Sequence, residues 1–181
     1  MIGDTVGSPG RKAVARLLPK LRQEYSLDMV MINGENAAGG FGLTLDTAED
    51  LFEAGVDVIT SGNHIWDKKE IFPHLDGRLP IIRPMNYPNG VPGHGAVRHK
   101  GAIVMNLIGR VFVGNFECPF RQADAFLEGL EENAPRIIVV DFHAEATSEK
   151  VALGLYLDGR VSAILGTHTH VPTADHRVLP N

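Results

Sequence analysis

With 181 residues, 44% of them hydrophobic, the chain can bury one sizeable core and is short for two, so residues 1–181 are expected to form a single domain. A net charge of -5 and a pI near 5.9 exclude a broad basic surface for nucleic acid, and any phosphate must be held by local charge. The lone Cys118 cannot form an internal disulfide, no segment reaches the length of a membrane span, and no basic-then-apolar leader is present, so a cytoplasmic location is expected.

Only Met1 and Ile2 precede Gly3-Asp4, too little for a full strand, so the first strand reads as clipped. Ser8 and Pro9 predict an N-cap and a proline at the first helical position, and Val14, Leu17, Leu18 and Leu21 recur at helical spacing, with a kink expected at Pro19. Gly3, Gly7 and Gly10 lack the G-x-G-x-x-G spacing of a dinucleotide site, and no lysine completes a phosphate loop. Met29 to Ile32 predicts a strand ending in Asn33-Gly34-Glu35-Asn36. Thr44 predicts a cap for a helix through Ala48, Leu51 and Phe52 that stops at Gly55. Val56, Val58 and Ile59 predict a further strand, which ends in Ser61-Gly62-Asn63-His64.

Lys68 to Leu75 predicts a short helix, and Pro80, Pro84, Pro88 and Pro92 predict an irregular stretch to Gly95 with Ile81-Ile82 as a candidate strand. Ala102 to Leu107 reads as a strand and Gln122 to Glu132 as an amphipathic helix. Ile137 to Val140 enters Asp141-Phe142-His143. Thr147 or Ser148 is expected to cap a helix that stops near Gly159, and Val161 to Leu165 then delivers Gly166-Thr167-His168-Thr169-His170. Strands alternating with helices predict an α/β fold, in which ligands lie beyond the carboxyl ends of the strands.

Asp4, Glu35, Asn36, Asn63, His64, His143, His168 and His170 all fall at such ends. His168 and His170, at i and i+2, share one face if extended backbone persists past Gly166. Singly, Asp4 reads as a helix cap or turn residue, Asn36 as a turn residue, His143 as a core histidine and the final pair as solvated loop histidines. Jointly, they form a mixed oxygen and nitrogen donor set suited to divalent manganese, iron or zinc, with no thiolate to favour softer ions. So many donors exceed one tetrahedral ion and suit two ions sharing a carboxylate, for which Glu35 is the natural bridge. Two-metal hydrolysis places such ions about 3.5–4 Å apart around a nucleophilic hydroxide and a phosphoryl oxygen. Two divalent ions outweigh the charges of Asp4 and Glu35, so the pocket is electropositive on an acidic protein.

Gly3-Asp4, Asn33-Gly34-Glu35-Asn36-Ala37-Ala38-Gly39-Gly40, Gly62-Asn63-His64, the run Asp141 to Lys150 and the run Gly166 to Asp175 resemble the bacterial YmdB-like metallophosphoesterases of the calcineurin-like superfamily. The resemblance implies a four-layer α/β/β/α sandwich and a dinuclear metal centre, with iron or manganese favoured and zinc an alternative. It implies hydrolysis of phosphodiesters, notably 2′,3′-cyclic nucleotides, by attack of a metal-bridging hydroxide. It places Asp4, Glu35, Asn36 and His170 on one ion, with Glu35 bridging to a second held by Asn63, His143 and His168. His64 is left free beside the phosphate as the catalytic histidine, with Asp67 the nearest carboxylate able to orient its ring. The superfamily's usual first motif is Asp-x-His, whereas Thr5-Val6 follow Asp4 here, so Asn36 is expected in place of the missing histidine.

The short first strand and the stop after Leu179-Pro180 suggest a chain lacking part of that strand and a C-terminal segment. The stretch from Pro92 to Gly109 is shorter than usual in the family, which leaves a hairpin of the second sheet open. Phosphomonoesters and RNA ends are alternative substrates, and a regulatory or binding protein that keeps the metal fold is the alternative class. The oligomeric state is not legible. His74, His94, His99 and His176 lie outside the matched motifs, Trp66, Phe112 and Phe120 read as packing residues, and Cys118 has no base partner.

Overall fold

In the computed structural model, which describes residues 1–181, Ile2 pairs in parallel with Ile32: its N–H donates to the Met31 carbonyl at 2.9 Å and its own carbonyl accepts from Asn33 N at 3.0 Å. Even this short N-terminus is therefore tied to a sheet. Helix α1 (Gly7–Glu24) follows and runs on past Pro19. It starts one residue before Ser8, and Val6, which has no side-chain cap, takes the N-cap position. The early start belongs to Gly7, whose φ of +56° suits glycine and whose N–H is held by the Asn36 carbonyl at 2.8 Å. Of its predicted apolar face only Val14 and Leu18 are buried, while Leu17 and Leu21 face outward.

Strands β1 (Met31–Asn33) and β2 (Val58–Thr60) pair in parallel, with Met31 opposite Val58. Between them α2 (Leu45–Glu53) is capped as the sequence predicts: Thr47 N–H donates to Thr44 Oγ1 at 3.2 Å, and Thr44 N–H donates to Thr47 Oγ1 at 3.0 Å. Gly55, at φ +102°, follows the helix end. Val14, Leu18, Ile32, Ala48, Leu51 and Ile59 share one apolar cluster, so α1 and α2 cover one face of this sheet. The helix expected over Lys68 to Leu75 is divided into a 3-10 turn, Lys69–Ile71, and α3 (Phe72–Leu75). Pro73 has no N–H to give the Lys69 carbonyl, which explains the break. Ile81 makes a single parallel bridge to Ile59.

A second sheet has the order β3 (Ala96–His99), β4 (Ala102–Ile108), β5 (Ile137–His143) and β6 (Ala163–Thr167). The first pair is antiparallel and the rest parallel. The hairpin left open by sequence length does form. Lys100 and Gly101, at φ +47° and +76°, supply the two left-handed residues its tight turn requires. Helix α4 (Pro119–Glu128) starts earlier than the periodicity suggests because Pro119 already has helical φ, and it stops at Gly129. Helix α5 (Thr147–Tyr156) has Ala146 at its N-cap without a side-chain bond, so Thr147 lies in the first turn and does not cap it.

Leu107, Ala123, Val140, Phe142, Leu153 and Leu157 join β4 and β5 to α4 and α5 in a second cluster. A third joins Met31 and Val58 of the first sheet to Ile82 and to Val104 of the second. The two sheets therefore meet through an apolar seam whose strand ends open on one side. No helix is long and apolar enough to cross a membrane. Trp66 packs edge-on against Phe72 and Tyr87, and Phe120 against Tyr156, but Phe112 is 89% exposed and packs little, contrary to its reading as a packing residue.

Candidate metal centre

The candidate residues arrive from both sheets. Asp4 follows the Ile2 bridge, Glu35 and Asn36 follow β1, and Asn63 and His64 open the 3-10 turn Asn63–Trp66 after β2. His143 is the last residue of β5, and His168 and His170 follow β6. Extended backbone does not carry the last two. His168 has φ +101° and His170 φ +55°, conformations costly for side chains with a Cβ and concentrated at functional sites. The His168 N–H donates to Asp4 Oδ2 at 3.0 Å, which helps hold this loop in place.

Glu35 Oε1 lies 3.0 Å from His143 Nε2, His168 Nδ1 lies 3.0 Å from the same nitrogen, and Asn63 Oδ1 lies 3.2 Å from it. Glu35, His143 and His168 form a group whose donor atoms all lie within 4.8 Å of one another. The partners on the far side of each ring fix its tautomer. Glu145 Oε2, 3.1 Å from His168 Nε2, can only accept, so Nε2 carries the hydrogen and Nδ1 keeps its lone pair. Thr167 Oγ1 donates to Asp141 Oδ1 at 2.7 Å and so accepts from His143 Nδ1 at 3.0 Å, leaving His143 Nε2 as the free nitrogen. Asn33 Nδ2 also lies 3.3 Å from His143 Nδ1, but Ser61 O and Asp141 Oδ2 already accept from that amide. Two oxygens and two ring nitrogens therefore crowd together around His143 Nε2, a donor set that a cation could bind.

A second set adjoins the first. His170 Nε2 lies 3.5 Å from Asp4 Oδ1, a buried oxygen with no hydrogen-bond partner, and 3.3 Å from Asn36 Nδ2. Asn36 turns its amide nitrogen, not its oxygen, to His170. Gly62 lets the loop after β2 lie against this centre, since an added Cβ would fall inside the contact distance of the His143 ring and Glu35 Oε2. The convergent donors and the orphaned Asp4 oxygen suit a divalent cation.

The electrostatics agree. Burial pushes Glu35 up, but the bond and charge of His143 and the His64 N–H, 2.8 Å from Oε2, hold it below the ordinary glutamate range. Burial pushes His143 down, yet Glu35 outweighs it and raises the ring, so in the protein alone a proton on Nε2 serves Glu35. A cation at that point would displace the proton and serve all four groups. Burial and the neighbouring His143 lower His168, which favours the neutral ring a metal needs. Burial drives Asp141 up to about 6 against the hydrogen bonds of Thr60, Thr167 and Asn33.

His64 stands outside the donor cluster. Its Nδ1 donates to Asp67 Oδ2 at 2.7 Å, and its ring lies edge-on to Phe41 with centroids 4.9 Å apart. Sequence reasoning did not single out Asp141, Thr167, Glu145 or Phe41. Strand alternation could have found the first, because Asp141 sits two residues before His143 on the same face of β5.

The YmdB-like protein family model matches residues 1–181. The chain belongs to the YmdB-like family. A Bacillus subtilis (strain 168) protein named 2′,3′-cyclic-nucleotide 2′-phosphodiesterase is 51% identical over 183 residues, spanning 99% of this chain and 69% of that protein. A crystal structure of a hypothetical protein from Thermus thermophilus superposes with a TM-score of 0.91 at 46% identity, covering 99% of this chain and 70% of that one. A Mycoplasma pneumoniae structure titled as a novel phosphatase gives a TM-score of 0.89 at 35% identity, covering 99% and 66%. This YmdB-like chain thus has a mixed α/β fold shared with a phosphatase structure and spans about two thirds of its relatives' lengths.

Proposed function

We propose that this YmdB-like chain is a phosphodiesterase that uses two divalent transition-metal ions, iron or manganese, to open 2′,3′-cyclic nucleotides. The observation that carries the reading is the convergence of Glu35 Oε1, Asn63 Oδ1, His143 Nε2 and His168 Nδ1, with the far nitrogen of each ring held by Thr167 or Glu145. These four groups would hold one ion. Asp4, Asn36 and His170 would hold the other, with Glu35 shared. Bound there, the ions supply Lewis-acid charge for a phosphoryl oxygen and acidify water.

The chain's own groups do the rest. Glu35 is oriented by the His64 main-chain N–H, and Asp4 by that of His168. Asp67 holds His64 by Nδ1, and in the cationic ring the second N–H, on Nε2, is the proton given to the departing ester oxygen, leaving the neutral ring. A nucleoside alkoxide is a poor leaving group, so this proton matters for the natural ester. The name of the B. subtilis relative supports both the cyclic nucleotide and departure of the 2′ oxygen.

The three apolar clusters support a four-layer α/β/β/α sandwich over one domain, 1–181, with α1 and α2 outside one sheet and α4 and α5 outside the other. The lone Cys118 supports a cytoplasmic location. The experiment is hydrolysis of adenosine 2′,3′-cyclic monophosphate by manganese- or iron-loaded protein. Turnover to a 3′-monophosphate that stops with a chelator is expected. Two bound ions without turnover would point instead to a binding protein that keeps the metal fold.

A further inference from the structure

The loop Gly39-Gly40-Phe41-Gly42 holds a large aromatic ring in water beside the reacting groups. Phe41 is 60% exposed, although a buried phenyl side chain would contribute to stability. Its backbone is fixed. Gly39, Gly40 and Gly42 have φ of +75°, +104° and +83°, the Ala38 N–H donates to the Gly42 carbonyl at 2.9 Å, and the Gly40 N–H donates to the Asn36 carbonyl at 3.1 Å. Gly42 packs so tightly on Lys68 that an added Cβ would lie 3.2 Å from the Lys68 nitrogen. The loop is thus built in left-handed backbone and anchored at both ends, and its tip presents one side chain. That side chain meets His64 edge-on, at 4.9 Å between centroids, and the His64 main-chain N–H in turn holds Glu35 Oε2 at 2.8 Å.

Resting on the reading of the site as a cyclic-nucleotide phosphodiesterase, we propose that Phe41 is its base-stacking platform. The base of a nucleoside 2′,3′-cyclic phosphate lies on the free face of Phe41, its ribose spans the His64 ring, and its cyclic phosphate reaches the Glu35 side. One sugar separates base from phosphate, as one residue, His64, links Phe41 through its ring to Glu35 through its main-chain N–H. A phenyl face offers no hydrogen bond, so Phe41 reads stacking area rather than base identity, and purines gain more from it than pyrimidines.

The test compares adenosine 2′,3′-cyclic monophosphate with glycerol 1,2-cyclic phosphate, which has the same five-membered phosphate ring and no base. In manganese-loaded Phe41→Ala the ratio of kcat/KM for the two should fall about 10-fold or more, the scale of one base–aromatic stack, with the change in KM. Phe41→Trp should keep the ratio. Saturation-transfer NMR with adenosine 3′-monophosphate should show the strongest signals on the base protons, weakened in Phe41→Ala. A wild-type protein that hydrolyses both substrates, with an unchanged ratio in Phe41→Ala, overturns the platform alone. A wild-type protein that binds metal and hydrolyses neither overturns the reading of the site and the platform with it.

Discussion

Glu35 follows a strand of one sheet and His143 ends a strand of the other, yet Glu35 Oε1 lies 3.0 Å from His143 Nε2 and their side chains are 1% and 0% exposed. A carboxylate so buried is costly unless it is paired, and the proposed reading has this one shared between two ions. Glu35→Gln keeps the shape and removes the charge. Metal analysis of the variant should show both ions weakened together. Loss of one ion with the other bound as before would contradict the bridging role.

Thr167 relays the buried Asp141 to His143. Its hydroxyl both accepts from His143 Nδ1 and donates to Asp141 Oδ1, so Thr167→Val removes the relay while keeping the volume. Outer partners of a metal-ligating histidine typically contribute about 10–100-fold in affinity. Titration of manganese into Thr167→Val should show a loss on that scale, and Thr167→Ser should restore most of it. Equal affinity in wild type and Thr167→Val would remove the relay from the account of the site.

The strand ends were legible because Glu35, Asn63 and His143 each close an apolar run, a local signal. The relay was not. Asp141 and Thr167 acquire their roles only when β5 lies beside β6 with Asp141 opposite Leu165 and His143 opposite Thr167, which is a matter of register. The division into two sheets was not legible in the hydrophobic pattern, since a single sheet would also gather the same residues, and only the family resemblance implied it. His168 and His170 reach the site, but through left-handed backbone that the i and i+2 spacing does not foretell. Phe41 carries no periodic signal at all.

Asp57 links the sheets away from the candidate centre. Its carboxylate lies 2.7 Å from Lys100 Nζ on the β3–β4 turn and 2.7 Å from Arg22 Nη1 on α1, and it accepts from Val30 N at 2.7 Å. Burial pushes Asp57 up, but Lys100, Val30 and Arg22 prevail and hold it below the ordinary aspartate range. A carboxyl lowered on folding stabilises above its unfolded value of 3.8 and loses that contribution as the pH falls through its folded value. Asp57→Asn should therefore lower Tm by about 2–4 °C at pH 7. Melting curves at pH 3 should show the gap to wild type much reduced; a gap of equal size at both pH values would contradict the charged pairing.

His64 should separate catalysis from metal binding. Its main-chain N–H, which holds Glu35 Oε2, survives in His64→Ala, so both ions should stay. Turnover of the natural cyclic ester should fall by about two to four orders of magnitude, the usual scale of acid–base assistance. The loss should shrink with a nitrophenyl diester, whose leaving group needs little protonation. Metal loss as severe as in His168→Ala would make His64 a ligand, and undiminished rates on both esters would remove its acid role.

The most direct test of a dinuclear centre is an anomalous difference map from crystals loaded with manganese, with data recorded on both sides of the metal's absorption edge. Two peaks per chain are expected, about 3.5–4 Å apart, one against Asp4, Asn36 and His170 and the other against Asn63, His143 and His168, with Glu35 between them. A single peak, or peaks remote from Glu35, would contradict it.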